Sequence, residues 1–241
     1  MDIDTLITLG YYVSSAGFLI ATLLMWKAVS GFGKSTLGSI FSYLLTGTGI
    51  FFIITVFQYL GAEYFQISDQ SMDIWWHVMF YMALLFYFAG LKYLVGLGNA
   101  DTSGGIKVGS EKKWTLLAVV ALIVIFLIPS SAEPIINTYN ASALSAFGLH
   151  HFLAFALAGA VGYYLINAKK RLGQVGRAVA NPMIIAIWAL GFQHFWELLN
   201  ESWKVVDVTS STGEGVEKIF LTVASICMIY AALRLKAFSK A

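Results

Sequence analysis

Residues 6–26 read LITLGYYVSSAGFLIATLLMW, a stretch that contains no charged side chain. A helix of about 20 residues rises about 30 Å, which matches the hydrocarbon thickness of a bilayer. Further apolar stretches follow it along the whole chain, separated by short connections rich in glycine, serine or charge. The sequence therefore predicts seven membrane-spanning helices, at 6–26, 38–60, 73–96, 114–128, 147–167, 182–200 and 218–235.

The overall composition leads to the same fold class. Of the 241 residues, 59% are hydrophobic and 12% are charged, whereas a soluble domain has about 25% charged residues. No connection is long enough to hold a separate soluble domain. We expect an all-α integral membrane protein, a seven-helix bundle that forms one transmembrane domain over residues 1–241.

The basic residues predict the orientation of the bundle, because cytoplasmic loops retain lysine and arginine. With the N-terminus outside and the C-terminus in the cytoplasm, only Lys204 and Lys218 of the 15 basic residues lie outside. Asp2 and Asp4 precede the first apolar stretch, which is the reverse of a signal peptide, so we expect that helix to be retained. The inner basic fringe indicates contact with anionic membrane lipids, not with nucleic acid.

The sequence lacks the motifs of several common kinds of enzyme chemistry. The chain has no phosphate-binding G-x-x-x-x-G-K-[ST] loop, no G-x-S-x-G nucleophile elbow and no H-E-x-x-H. Its single cysteine, Cys227, lies within an apolar stretch, so neither an intrachain disulfide nor a thiolate metal cluster can form.

The histidines are the main candidate site residues, because all four fall within predicted spans. His77, His150, His151 and His194 would lie roughly 5 to 9 Å below the outer boundary, on the third, fifth and sixth spans. Adjacent helical residues point about 100° apart, so His150 and His151 cannot both face one centre. His151 is preferred because it lies deeper.

Two carboxylates accompany these histidines. Asp73 precedes His77 by one turn, and Glu197 follows His194 by three residues on the same helix face. A carboxylate that accepts the second ring proton fixes the tautomer of a ligating imidazole. Ionisable groups within a bilayer usually face the bundle interior or a water-filled cavity. Other polar residues that could join them are Gln58, Tyr81, Gln193, Asn200 and Glu201.

Three interpretations of this group remain open. Two imidazoles could ligate the iron of a haem b in an electron-transfer or quinol-linked subunit of a larger complex. The histidines with Glu197 and Asp73 could bind a transition metal directly. The group could also hold no cofactor, in a sensory, scaffold or accessory subunit whose acidic outer loops, at 61–72 and 201–217, bind a partner. As a function for the whole protein, a transporter ranks third, after a cofactor-binding subunit and a non-catalytic subunit.

The predicted topology resembles that of microbial rhodopsins, whose retinal is attached to a lysine midway along the last helix. Here Lys218 and Lys236 stand at the two ends of the last predicted span. We therefore expect no retinal. The combination of features indicates a bacterial or archaeal cytoplasmic membrane as the location, with other membrane protein subunits as partners.

Overall fold

A computed structural model describes residues 2–63, 69–97, 148–171, 173–206 and 208–239. The regular structure of these residues is helical throughout, with no strand among them. The elements are α1 (Ile3–Phe32), α2 (Thr36–Glu63), α3 (Asp69–Leu97), α4 (Leu149–Arg171), α5 (Gly173–Glu197), a π-helical turn (Leu198–Ser202) and α6 (Ser210–Phe238).

Six of the described helices are long and apolar enough to cross a membrane, with mean hydropathy between 1.3 and 2.0 over their most apolar windows. They coincide with six of the spans that the sequence predicts. The remaining predicted span, 114–128, lies outside the described residues. The chain therefore has the helices expected of an integral membrane protein.

Two helices begin well before the apolar stretches that predict them. Helix α5 starts at Gly173 and includes Pro182, which is the first residue of the predicted span 182–200. Helix α6 starts at Ser210, because the Thr209 side chain caps it by accepting a hydrogen bond from the Thr212 N–H at 3.2 Å. Hydropathy marks where a helix enters lipid, whereas caps and backbone hydrogen bonds decide where it begins.

The six described helices form a ring in which each one packs against its neighbours in chain order, and α6 returns to pack against α1. Helices α1 and α6 run in the same direction, since Gly10 lies against Lys218 and Gly17 against Ser225. The Cβ of Lys218 would come within 2.5 Å of a Cβ at position 10. Only glycine permits this close approach.

Helices α3 and α4 also run in the same direction. His77, in the third turn of α3, meets His151 in the first turn of α4, and further along both helices Phe88 meets Tyr164, whose ring centroids are 4.8 Å apart. Between these two parallel pairs, the helices alternate in direction around the ring. We call the end of the bundle at which α1, α3, α4 and α6 begin the histidine end.

An aromatic core fills the bundle below the histidine end. Phe18, Phe51, Phe80 and Tyr87 are each fully buried, with the centroids of Phe51 and Phe18 5.5 Å apart. The Tyr87 hydroxyl lies 2.7 Å from the Thr48 hydroxyl, so its polar end has a hydrogen-bond partner. These side chains fill the interior of the described helices beneath the histidines.

Candidate metal centre

Four potential ligand atoms converge at the histidine end. They come from His77 on α3, His151 on α4, and His194 and Glu197 on α5, and they all lie within 4.8 Å of one another. Each of these residues is buried, with between 0% and 6% of its surface exposed. The structure thus brings together one histidine from each of the three predicted histidine-bearing spans and one of the two predicted carboxylates.

The Glu197 carboxylate is the centre of this cluster. Its Oε2 atom lies 2.6 Å from His194 Nδ1 and 2.9 Å from His151 Nδ1. Its other oxygen, Oε1, accepts a hydrogen bond from Gln193 Nε2 at 3.0 Å. The Gln193 amide therefore fixes the rotation of the carboxylate and leaves Oε2 directed at the two imidazoles.

The ring nitrogens of His151 and His194 differ in the number of partners that the protein gives them. His151 Nδ1 lies 3.2 Å from His77 Nε2 as well as 2.9 Å from Glu197 Oε2. His194 Nε2 is buried and has no hydrogen-bond partner in the described part of the chain. Buried polar atoms without a partner are uncommon in native structures, but a metal ion held by His194 Nδ1, the nitrogen that faces Glu197, would leave this Nε2 atom as it is.

Gly148 and the π-helical turn position the start of α4. Gly148 has φ +62°, a left-handed conformation that favours glycine, and a side chain there would collide with Ser202 and Leu198. The Trp203 N–H donates a hydrogen bond to the Leu198 carbonyl at 2.8 Å, and this spacing of five residues is the one that defines a π-helix. Close contact between these segments brings His151 beside Glu197.

Tyr81 holds α4 against α3. It lies one turn after His77, and its hydroxyl donates a hydrogen bond to the His150 carbonyl oxygen at 2.7 Å. This contact explains why His151 and His77 lie at one level, since it links the first turn of α4 to the α3 helix that carries His77.

The other predicted site residues have different positions. The ring of His150 is partly exposed and lies 4.7 Å from that of His77 between centroids, but His150 is not part of the group of four. Asp73 lies in α3, and its side chain is outside the described part of the protein. Of the two predicted acidic loops, 61–72 includes residues 64–68, which are also outside it.

A second carboxylate faces His151 from the far side. Glu201 Oε2 lies 3.8 Å from His151 Nε2, and the Glu201 side chain is 56% exposed. If Nε2 carries the ring proton, Nδ1 keeps its lone pair directed at the cluster. The distance is longer than a hydrogen bond, so Glu201 favours a proton on Nε2 through its charge alone.

A polar cavity of about 700 Å³ opens beside the cluster at the histidine end. Its wall includes His151 and Glu197, so a ligand in the cavity could reach the cluster directly. The other charged residues of the wall are Glu201, Glu214, Glu217 and Lys218. Four carboxylates, counting Glu197, against one ammonium group favour cations in this space.

Sequence reasoning missed the buried charges at the start of α6. Lys218 was expected at the outer start of the last helix, but α6 begins at Ser210 and its Lys218 side chain is only 3% exposed. Lys218 Nζ lies 3.8 Å from Glu214 and 3.9 Å from Glu217, and 4.0 Å from the centre of the Tyr11 ring. The i, i+4 spacing of Glu214 and Lys218 was the available signal.

Comparison with known proteins provides no independent indication of the role of this site. No family model, no curated protein and no solved structure matches the chain.

Proposed function

We propose that this protein is an integral membrane metalloprotein that binds one transition-metal ion through His77, His151, His194 and Glu197. The observation that carries the proposal is the convergence of these four donor atoms within 4.8 Å in a buried site. In a tetrahedral complex with metal–nitrogen bonds of about 2.0 to 2.1 Å, donor atoms are roughly 3.3 Å apart. The contacts of 2.6, 2.9 and 3.2 Å are close to that spacing.

A metal ion satisfies the cluster better than protons do. His151 Nδ1 can carry a single hydrogen, which would have to be shared between Glu197 at 2.9 Å and His77 at 3.2 Å. Without that hydrogen, lone pairs on nitrogen and oxygen face each other across a buried contact. A cation at the centre removes the conflict, because every donor atom then contributes a lone pair to it.

The donor set indicates the class of ion. Imidazole nitrogens suit zinc, iron, copper and nickel, whereas calcium and magnesium prefer sites built from oxygen ligands. Three imidazoles and one carboxylate therefore favour zinc or another first-row transition metal. When bound, such an ion supplies Lewis acidity, or electron transfer if it is redox-active, to molecules in the polar cavity.

The arrangement supports a metal ion better than haem b. Axial imidazoles of a haem lie on opposite faces of a planar macrocycle, which must fit between them. Here the His77 and His151 rings are in direct contact, with centroids 4.9 Å apart and planes inclined by 67°. Electron transfer within a larger complex stays a prediction, and on this geometry it would depend on a redox-active ion.

Metal analysis tests the proposal. We expect protein purified in detergent without chelators to hold one transition-metal ion per chain, measured by inductively coupled plasma mass spectrometry. Returning the ion to stripped protein at 1,000 times its dissociation constant should raise the free energy of unfolding by about 4 kcal/mol. The matched control is His150→Gln, which should retain the metal. A wild-type protein with no more metal than a His77→Gln/His194→Gln variant would reject the proposal.

We further propose that the chain crosses the membrane seven times, with its N-terminus outside. The parallel packing of α3 and α4 supports this count. Two parallel spanning helices must be joined by a connection that returns across the membrane, and residues 114–128 are apolar enough to do so. The excess of lysine and arginine on one side supports the orientation.

Cysteine labelling in intact cells tests this topology. In a Cys227→Ser background, we expect Asp2→Cys to react with a membrane-impermeant maleimide, because it would lie outside. Ser239→Cys should react only after the membrane is permeabilised. Labelling of both positions from the same side would contradict an odd number of spans.

A further inference from the structure

A second, apolar groove adjoins the polar cavity at the histidine end. It lies between α2 and α3, has a volume of about 170 Å³, and its accessible wall is almost entirely apolar. Ile53 and Trp75, which line it, are 52% and 38% exposed on the outside of the ring. Because both belong to spanning helices, this groove opens toward lipid.

Three residues belong to the walls of both spaces. Gln58, Met72 and Trp76 line the polar cavity on one side and the apolar groove on the other. The two spaces are therefore neighbours across a shared wall. A molecule that occupies both spaces would therefore pass these three residues to reach the cavity lined by His151 and Glu197.

The shared wall carries two buried polar atoms without a partner. Trp76 Nε1 and Gln58 Oε1 make no hydrogen bond within the described residues, and Trp76 is only 6% exposed. The indole N–H is a donor and the amide oxygen is an acceptor. A hydroxyl or amide group can accept a hydrogen bond from the indole N–H and can also donate one to an amide oxygen.

We propose that the groove and the cavity together bind a membrane amphiphile with a hydroxyl- or amide-bearing head and a flexible apolar chain. The chain lies in the groove between α2 and α3. The head hydrogen-bonds with Trp76 and Gln58 and extends into the polar cavity. This inference rests on the proposed function in one respect, namely that the head reaches the metal centre at His151 and Glu197.

The polarity of the two spaces favours this occupant over a water-soluble molecule or an apolar lipid. A purely apolar molecule would leave the buried Trp76 N–H and the Gln58 oxygen unpaired, which is unfavourable. A water-soluble molecule would leave the groove unfilled. An amphiphile does both, because its apolar chain fills the groove and its polar head pairs with the two polar atoms.

Photocrosslinking with 1-monooleoylglycerol that carries a diazirine in its chain tests the proposal. In phosphatidylcholine nanodiscs, we expect saturable labelling that maps to 53–57 and 75–79. Trp76→Phe should weaken binding about tenfold, because it removes one buried hydrogen bond to the head. The matched control is Trp26→Phe, at a tryptophan that is 61% exposed on α1.

A second variant keeps the proposal testable if Trp76→Phe does not fold. Gln58→Leu should weaken binding of the glycerol probe by a similar factor but leave binding of its dimethyl ether unchanged, because the ether has no O–H to donate. Equal binding of both probes to wild type and to both variants would overturn the proposal. So would non-saturable labelling spread over the lipid-facing surface.

Metal content measured in the same samples separates this proposal from the proposed function. Saturable, Trp76-dependent binding by a protein that takes up no transition metal would reject the metal centre and keep the amphiphile site. A metal-loaded protein without saturable labelling would reject the amphiphile site alone.

Discussion

Replacing Glu197 with glutamine is expected to lower the affinity for a transition-metal ion more than about 100-fold, since loss of an outer partner alone costs 10- to 100-fold. Glutamine keeps the size of the side chain but removes the negative charge, and Oε2 of Glu197 is the atom that both His151 and His194 approach within 3 Å. Titration of stripped protein with Co²⁺, followed by its visible absorption, measures the change.

Two variants serve as controls for this result. Glu201→Gln should cost about tenfold, because Glu201 faces the second nitrogen of His151 at 3.8 Å and is half exposed. His150→Gln should have no effect on affinity. Circular dichroism must show the same helical content in all three proteins. A Glu197→Gln protein that binds Co²⁺ as tightly as wild type would exclude Glu197 from the ligand set.

Replacing Lys218 with methionine should destabilise the protein by about 1 to 3 kcal/mol, the range seen when a buried polar group loses its partner. The Lys218 side chain is 3% exposed and its Nζ lies 3.8 Å from Glu214 and 3.9 Å from Glu217, so the substitution removes the cation that these two acidic side chains share. Unfolding in mixed micelles with increasing sodium dodecyl sulfate measures the loss.

The double variant distinguishes charge from packing. Glu217→Gln in the Lys218→Met background removes one of the two acidic side chains that lose their cation, so part of the lost stability should return. Lys27→Met is the control, because Lys27 is an exposed lysine on α1 and its loss should change stability by less than about 0.5 kcal/mol. If the double variant is no more stable than Lys218→Met alone, the pair does not stabilise the fold through its charge.

Helix rotation is the reason why the site could be predicted only in part. The pairing of His194 with Glu197 follows from spacing on one helix, so the sequence was enough to predict it. The choice between His150 and His151 depends on which face of α4 points inward. That face is set by Gly148 against the π-helical turn and by the Tyr81 hydrogen bond to α4.

Hydropathy could not reveal the buried charges of α6 for a related reason. The polar residues before Ile219 resemble a loop, and only the Thr209 cap and the packing against α1 show that the helix starts at Ser210. The eight additional residues amount to about 12 Å of helix, which moves Lys218 from a membrane surface into the cavity wall.

The sequence by itself determined that this chain consists of apolar helices long enough to span a bilayer, because the length and charge content of each stretch are local properties. It also determined that the ionisable residues of those helices are few and include every histidine. Only the tertiary structure decided that His77, His151, His194 and Glu197 meet, because convergence depends on how helices rotate and pack. Those choices are made by contacts between residues distant in the chain, such as Gly10 with Lys218 and Tyr81 with the first turn of α4.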